Sequence, residues 1–294
     1  TMLTKGCRMT QRARAHSILQ TVRETGPLVS CITNSVAANI TANVLLAVGA
    51  APAMVDITGE AGPFAAAASG LLINLGTPQP EQRAAALEAA TAAGEAGTPW
   101  VLDPVAIGSL AHRTALAREL IAMGPAVVRG NASEIMALLG AGGGRGPETS
   151  ADVEAAMDAA HSVSERFGCV VAVSGPVDAI VEGTHVTRIV GGSPMLTRVT
   201  GGGCALGALI AAFIAAGRAR DVGSRGERAG ADTTRTCTVA CHAVYSAAAK
   251  RAEARSAGPG SFQPAFLDAL YALETDDLGA ITISAADTVG REPA

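Results

Sequence analysis

A chain of 294 residues that is 49% hydrophobic but only 3% aromatic is long enough to bury a substantial core, and must fill it with Ala, Val, Leu and Ile. That composition suits helices packed over a buried parallel sheet. A formal net charge of -4 without any arginine-rich, aromatic-interleaved tract argues against a nucleic-acid partner, and lysine only at Lys5 and Lys250 excludes a P-loop or Schiff-base lysine. Along the chain, the first residues carry charge but no compact apolar region before a cleavage site, so no signal peptide is expected. Candidate strands then run over 28–33, 51–56, 71–76, 100–105, 126–131 and 170–175, followed by the pair 178–183 and 185–192, which reads as a hairpin added at an edge. Helices are expected over 35–48, 80–97, 112–123, 132–139, 151–167, 204–217, 231–256 and 261–274. Strand followed by helix, repeated, predicts an α/β fold: a mainly parallel central sheet with helices on both faces.

Loop-like composition appears at 140–150 and 217–231, and neither stretch separates two self-sufficient halves. One domain over 1–294 is expected. The uncharged stretches 35–55 and 199–217 lack about 20 strongly apolar residues and read as buried helices rather than membrane spans. Six cysteines, 7, 31, 169, 204, 237 and 241, are too few for a disulfide scaffold and suit a reducing cytoplasm. Cys237, Cys241 and His242 cluster in sequence, but the two cysteines lie one helical turn apart in an apolar run and read as core residues, since a metal site needs more convergent ligands.

In open parallel sheets ligands sit at the carboxyl ends of the strands. Those ends bring Asn34, Met54, Asp56, Asn74, Thr77, Asp103, Arg129, Asn131, Glu134 and Ser174 into the chain at regular intervals. Asn, Asp, Ser and Thr also cap the helices that follow, but Arg129 and Glu134 are not residues of that kind. The most specific stretch is "VTGGGCALGA", 199–208. Gly201, Gly202 and Gly203 leave consecutive backbone N–H groups and the positive end of a helix dipole, roughly half a unit charge, open to an anion without a Cβ clash. No GxxxxGK[ST] or GxGxxG fingerprint is present. Phosphoryl transfer needs such a cradle, a cation and a group beside the acceptor hydroxyl. Asp103 and Glu134 can supply the carboxylates for Mg²⁺, Arg129 can neutralise phosphate charge, and Cys204 stands at the mouth of the cradle.

"CITN" (31–34), "GAAPAM" (49–54), "NLGT" (74–77), "VLDPV" (101–105), "VRGNASEI" (128–135), "VSGPVD" (173–178) and "TGGGCALGA" (200–208), in that order, resemble the hydroxyethylthiazole kinase family. The resemblance implies a ribokinase-like three-layer sandwich and ATP-dependent phosphorylation of the alcohol of 4-methyl-5-(2-hydroxyethyl)thiazole. It implies a homotrimer with active sites near subunit interfaces. Carried over by motif, Asn34, Met54 and Gly201 would contact the thiazole, and Arg129 and Ser174, with Asn131 grouped beside them, would contact ATP. Asp103 and Glu134 would organise Mg²⁺, and Cys204 would take the place where most ribokinase-like kinases carry an aspartate base. Related pyrimidine kinases and hydrate dehydratases would carry Asp at position 204. A cysteine hydrolase would need a histidine base, and the five histidines fall in helical or edge segments away from the strand ends. A nucleotide-binding module without catalysis would bind ATP yet release no ADP.

Overall fold

Thr10 accepts a hydrogen bond from the Ala13 N–H and caps α1, Gln11–Thr25, which ends on Gly26 in the left-handed region (φ 53°). The computed structural model describes residues 10–140, 153–223 and 231–287. After α1 come β1 (Leu28–Ile32), α2 (Ala38–Ala47), β2 (Ala51–Ala53), α3 (Ala61–Ala67), β3 (Gly70–Asn74), α4 (Pro80–Ala96), β4 (Trp100–Asp103), α5 (Ala111–Ile121), β5 (Val127–Asn131) and α6 (Ala132–Leu138). Then follow α7 (Met157–Phe167), β6 (Val170–Ser174), β7 (Val177–Glu182), β8 (His185–Val190), α8 (Gly202–Gly223), α9 (Ala231–Glu253), α10 (Pro259–Tyr271) and β9 (Thr282–Asp287).

The strands form one sheet in the order β2-β1-β3-β4-β5-β6-β7-β8-β9, parallel from β2 to β6 and antiparallel from β6 to β9. The expected mainly parallel sheet is thus present. The chain turns back between β1 and β3, since β2 lies on one side of β1 and β3 on the other. That reversal opens a crevice beyond the ends of β1 and β3, the usual ligand position in such sheets.

Side chains alternate across the sheet with period two. Leu72, Val101, Val127, Val170 and Ala172 enter one core with α1, α2, α8, α9 and α10. Leu71, Ile73, Trp100, Leu102, Val128, Val171 and Val173 enter the other with α3 to α7. Three layers follow. The central helix α8 packs on β1, β3 and β4 and against α1, α2 and α9, which explains why it is apolar on every side. Its segment Gly202–Arg220 has the length and composition to cross a membrane, but its apolar window is 72% buried inside the protein, as a core helix should be.

Three elements lie outside the expected set. The stripe Ala15, Ile18, Leu19, Val22 of α1 has helical spacing and is buried, so this helix was legible in principle. The short α3 contains Gly62 and Pro63 and shows no period, and β9 is a polar, alanine-bearing strand that only pairing with β8 creates. β9 also makes the hairpin of β7 and β8 interior on one side, so the hairpin is not the sheet edge. The strand expected over 51–56 ends at Ala53, and the loop expected over 217–231 is helical to Gly223; residues 224–230 and 141–152 lie outside the described residues.

Close approach between α8 and the sheet depends on glycine at Gly70 and Gly207, where a Cβ would come 2.9 Å from the Ala211 carbonyl oxygen and 2.9 Å from Leu72 Cδ1. The first neighbour is backbone and cannot rotate away. Gly70→Ala is therefore expected to destabilise the fold by about 1–3 kcal/mol, as overpacked cores do, and urea unfolding checks it; an unchanged midpoint would refute the tight seam between α8 and β3.

Candidate active site

The ends of adjacent strands are joined by side-chain hydrogen bonds. Asn34, just beyond β1, donates from Nδ2 to Asn74 Oδ1 at 2.8 Å, and Asn74, the last residue of β3, donates to Asp103 Oδ2 at 2.7 Å. Asp103 ends β4 and forms an ion pair at 3.6 Å with Arg129 Nη1 on β5. Arg129 Nε donates to the Ser174 hydroxyl at the end of β6, at 3.1 Å. The register makes this possible, because Asn74 is paired directly with Asp103 in the ladder. Asn34 is held in turn by the Ala37 N–H on its Oδ1, 2.9 Å away, and donates to Cys204 Sγ at 3.2 Å.

Cys204 lies in the first turn of α8. The Ala205 N–H is bonded back to Gly201 O at 2.9 Å, so the N–H groups of Gly202, Gly203 and Cys204 are those a helix start leaves without intrahelical acceptors. Two of the glycines are needed for the close approach itself. Gly201 has φ 81°, and a Cβ there would come 2.6 Å from Ile40 Cγ2 of α2; a Cβ on Gly203 would come 2.8 Å from Arg129 Nη1. The glycine run thus admits α2 on one side and the Arg129 guanidinium on the other, a use of glycine that the sequence reading had assigned only to an incoming anion. Tyr245 of α9 donates to Gly202 O and ties the helix start from beneath.

Electrostatics sharpen the picture. Asp103 is fully buried, and burial pushes its carboxyl up to about 7, with the Glu134 charge adding to the rise and Arg129 and Asn74 opposing it. Its Oδ1 has no hydrogen-bond partner. Burial disfavours the charge on Arg129, but Asp103, Glu134, Cys204 and Asp178 together outweigh it and hold the guanidinium above its ordinary value. Burial likewise pushes the Cys204 thiol up to about 11, helped by Asp103 and opposed by Arg129, Asn74 and Asn34. Burial therefore favours the thiol form of Cys204 in the free protein.

Asn34, Asp103, Arg129, Ser174, Cys204 and Gly201 to Gly203 are brought together. Asn131 is not directed in the same way: its Oδ1 caps α6, accepting the Glu134 N–H at 2.9 Å and the Ser133 hydroxyl at 2.8 Å. Glu134 completes that capping box with Oε2 on the Asn131 N–H at 2.8 Å, while Oε1 accepts the Ala106 N–H at 2.9 Å. Ala106 has φ 57°, an uncommon conformation for a residue with a side chain, so Glu134 secures the strained turn that follows Asp103. Met54 stands apart from the network, one residue beyond the edge strand β2 and 40% exposed.

Asn74 is the central link, although the sequence marked it only as one polar residue at a strand end. Asp178 and His242 were not among the expected site residues. His242 lies on a helix, as expected, yet its ring reaches Asp178 beside the β6–β7 turn at 2.8 Å. Such a contact between α9 and β7 leaves no signal in local spacing. Cys237 and Cys241 are buried in the core, and no group of three or more His, Cys, Asp or Glu suited to a metal occurs among the described residues.

Two oxygen donors, Asp103 and Glu134, nonetheless fit a hard divalent cation. The fully buried Oδ1 of Asp103 accepts no hydrogen bond, with the Arg129 guanidinium 3.6 Å away. With only these two carboxylates, remaining ligands must come from water or a phosphate, which is how Mg²⁺ is usually held.

Comparison with known proteins converges on one family. The hydroxyethylthiazole kinase family matches residues 19–276. A hydroxyethylthiazole kinase of Clavibacter sepedonicus is 54% identical over 257 residues, covering 87% of this chain and 88% of that protein; one of Corynebacterium glutamicum (strain R) is 47% identical over 264 residues, covering 90% and 95%. The solved structure of a hydroxyethylthiazole kinase protein from Pyrococcus horikoshii OT3 superposes with a TM-score of 0.80 at 32% identity, over 93% of this chain and 99% of that one. Pyridoxal kinase from Staphylococcus aureus, at 14% identity and a TM-score of 0.56 over 89% of this chain and 98% of that one, shares the ribokinase-like fold. The chain belongs to the hydroxyethylthiazole kinase family, and with it to the phosphotransferases.

Proposed function

We propose that the chain transfers the terminal phosphoryl group of ATP to the hydroxyl of 4-methyl-5-(2-hydroxyethyl)thiazole, at the junction of the strand ends with the start of α8. The observation that carries this reading is the meeting of Cys204, held by Asn34, with the first-turn N–H groups of α8 and the buried Asp103–Arg129 pair. In-line phosphoryl transfer needs little covalent chemistry from the protein; it needs the two oxygens aligned and the charge on the transferring group matched. The N–H groups of Gly202, Gly203 and Cys204 receive the transferring phosphoryl oxygens, and Arg129, steadied by Ser174, neutralises the nucleotide phosphates. Asn34, Met54 and Gly201 line the thiazole side, with Asn131 taking part in nucleotide binding through the helix start it caps. Asp103 and, through water, Glu134 would hold Mg²⁺, which when bound would supply positive charge against the phosphates.

Cys204 orients the acceptor hydroxyl and takes its proton late. Burial holds the group as a thiol in the free protein, so the form that accepts this proton is the thiolate, reached after the thiol has released its own proton to water; a loose transition state, in which early deprotonation of the alcohol contributes little, tolerates that order. Cys204→Ala is expected to keep nucleotide affinity while lowering kcat about 100-fold, the low end for general base catalysis, and Cys204→Asp to remain active. Unchanged turnover in the alanine variant would sink the role. The reaction itself is tested by ADP release with ATP and Mg²⁺, with hydroxyethylthiazole set beside hydroxymethylpyrimidine; release with the pyrimidine alone would overturn the substrate.

A homotrimer with sites near the subunit interfaces fits the exposed apolar side chains just before and on α2 and beyond the edge strand: Val36, Leu46, Met54 and Ile57, between 40% and 65% exposed. Charged residues in their place, as in a Met54→Asp, Ile57→Asp double variant, are expected to lower the mass in light scattering and to weaken thiazole binding. A trimer of unchanged mass would refute this surface.

Asp103 provides a test by pH. Its folded value of about 7 exceeds the ordinary carboxylate value, so the ligand-free fold binds that proton more tightly than the unfolded chain. The stability from this group is fully present in acid and is lost as pH rises through about 7. The melting temperature of the ligand-free protein relative to Asp103→Asn should therefore fall between about pH 5 and about pH 8, measured by calorimetry. A gap independent of pH would contradict the burial of an ionisable carboxyl there.

A further inference from the structure

The hydrogen-bonded line of the site does not stop at Ser174. The next residue, Gly175, donates its N–H to Asp178 Oδ1 at 3.0 Å, and Asp178 Oδ2 lies 2.8 Å from Nδ1 of His242. His242 is fully buried on α9. Two hydrogen bonds therefore lead from the middle of a core helix, through the first residues of β7, to the turn that carries the Ser174 hydroxyl, and the Ser174 hydroxyl meets Arg129. On its other side Gly175 is wedged against Val153, where a Cβ would come 2.5 Å from Val153 Cγ2, so the turn is clamped from both sides.

The protons can be placed. Asp178 accepts from the Gly175 N–H, so as a carboxylate it also accepts from His242, and Nδ1 is the donor. In the neutral ring Nε2 then carries a lone pair, and Nε2 is buried with no hydrogen-bond partner. An unpaired buried acceptor is costly, and an apolar residue would pack at this position without that cost. The bond to Asp178 is what the histidine contributes. Asp178 also places negative charge where Arg129 responds to it.

We infer that His242 is a positioning residue for the nucleotide: it orients Asp178, which fixes the Ser174–Gly175 turn and so sets the Ser174 hydroxyl and the Arg129 guanidinium for the phosphates. This rests on the reading of Arg129 and Ser174 as nucleotide contacts.

The experiment compares His242→Phe, which keeps ring volume but has no donor, with His242→Gln, which can still donate to Asp178, and with Arg129→Ala. His242→Phe should raise the KM for ATP about tenfold, with kcat at saturating ATP and the KM for the thiazole nearly unchanged, because displaced contacts to one substrate are lost without touching the reacting atoms. His242→Gln should restore the KM for ATP to within about threefold of the wild type. An unchanged KM for ATP in His242→Phe, an equal rise for both substrates, or no rescue by glutamine would overturn the inference. If Arg129→Ala leaves the KM for ATP unchanged, the nucleotide reading itself fails; if that variant is impaired while His242→Phe is not, only the role of His242 falls. Nitrogen-15 NMR of the wild-type imidazole supplies a readout independent of activity and of the folding of any variant: protonation at Nδ1 is expected, and protonation at Nε2 alone would overturn it.

Discussion

The buried carboxylate of Asp103 is the constraint around which the site is arranged. A charge removed from water is tolerable only if opposite charge and hydrogen bonds are supplied in fixed positions. Here they are few: the Asn74 amide on one oxygen, and on the other a guanidinium at 3.6 Å, beyond hydrogen-bond range. The group is consequently pushed up to about 7. Everything near it follows from that incomplete balance. Arg129 must lie against the start of α8, which requires Gly203 to lack a Cβ; Asn74 must face Asp103 across the ladder, which the parallel pairing of β3 and β4 provides.

Core packing and site geometry are the same problem in this molecule. The helix that begins with the glycine run is buried over 205–217, and it is tied to β3 through Gly70 and Gly207, to α2 through Gly201 and to α9 through Tyr245. A core filled by alanine and glycine lets these backbones approach closely, and close-packed interiors resist small displacements. The first-turn N–H groups are thereby held rigidly relative to the strand ends. Preorganised donors of this kind cost no rearrangement when charge develops on a transferring group.

The strand ends illustrate what local pattern can and cannot reveal. Asn34, Asp103, Arg129 and Ser174 each follow or close a short apolar run, and the rule that ligands gather beyond the carboxyl ends of parallel strands points to them; Cys204 is marked instead by the glycine run before it. Asn131 and Glu134 were selected by the same rule, yet their side chains are engaged in a capping box and in holding Ala106; a capping asparagine and a ligand-binding one look alike in sequence. α1 showed its period in Ala15, Ile18, Leu19 and Val22, whereas β9 is a strand only because the open edge of β8 offers it partners.

What the sequence by itself determined is the alternation of apolar strands and alanine-rich helices, the glycine-rich entry to α8, and the family to which seven ordered motifs point, because these are properties of short segments and their spacing. Tertiary structure alone decided which polar residues touch. Asn34 meets Asn74 and Cys204 across 40 and 170 residues of chain, and His242 meets Asp178 across 64. Such contacts depend on the order of strands in the sheet and on the angle at which helices cross it, and neither is encoded in any local stretch. Nor does spacing reveal that burial outweighs Arg129, Asn74 and Asn34 at Cys204, because desolvation is set by the whole fold that closes around the thiol.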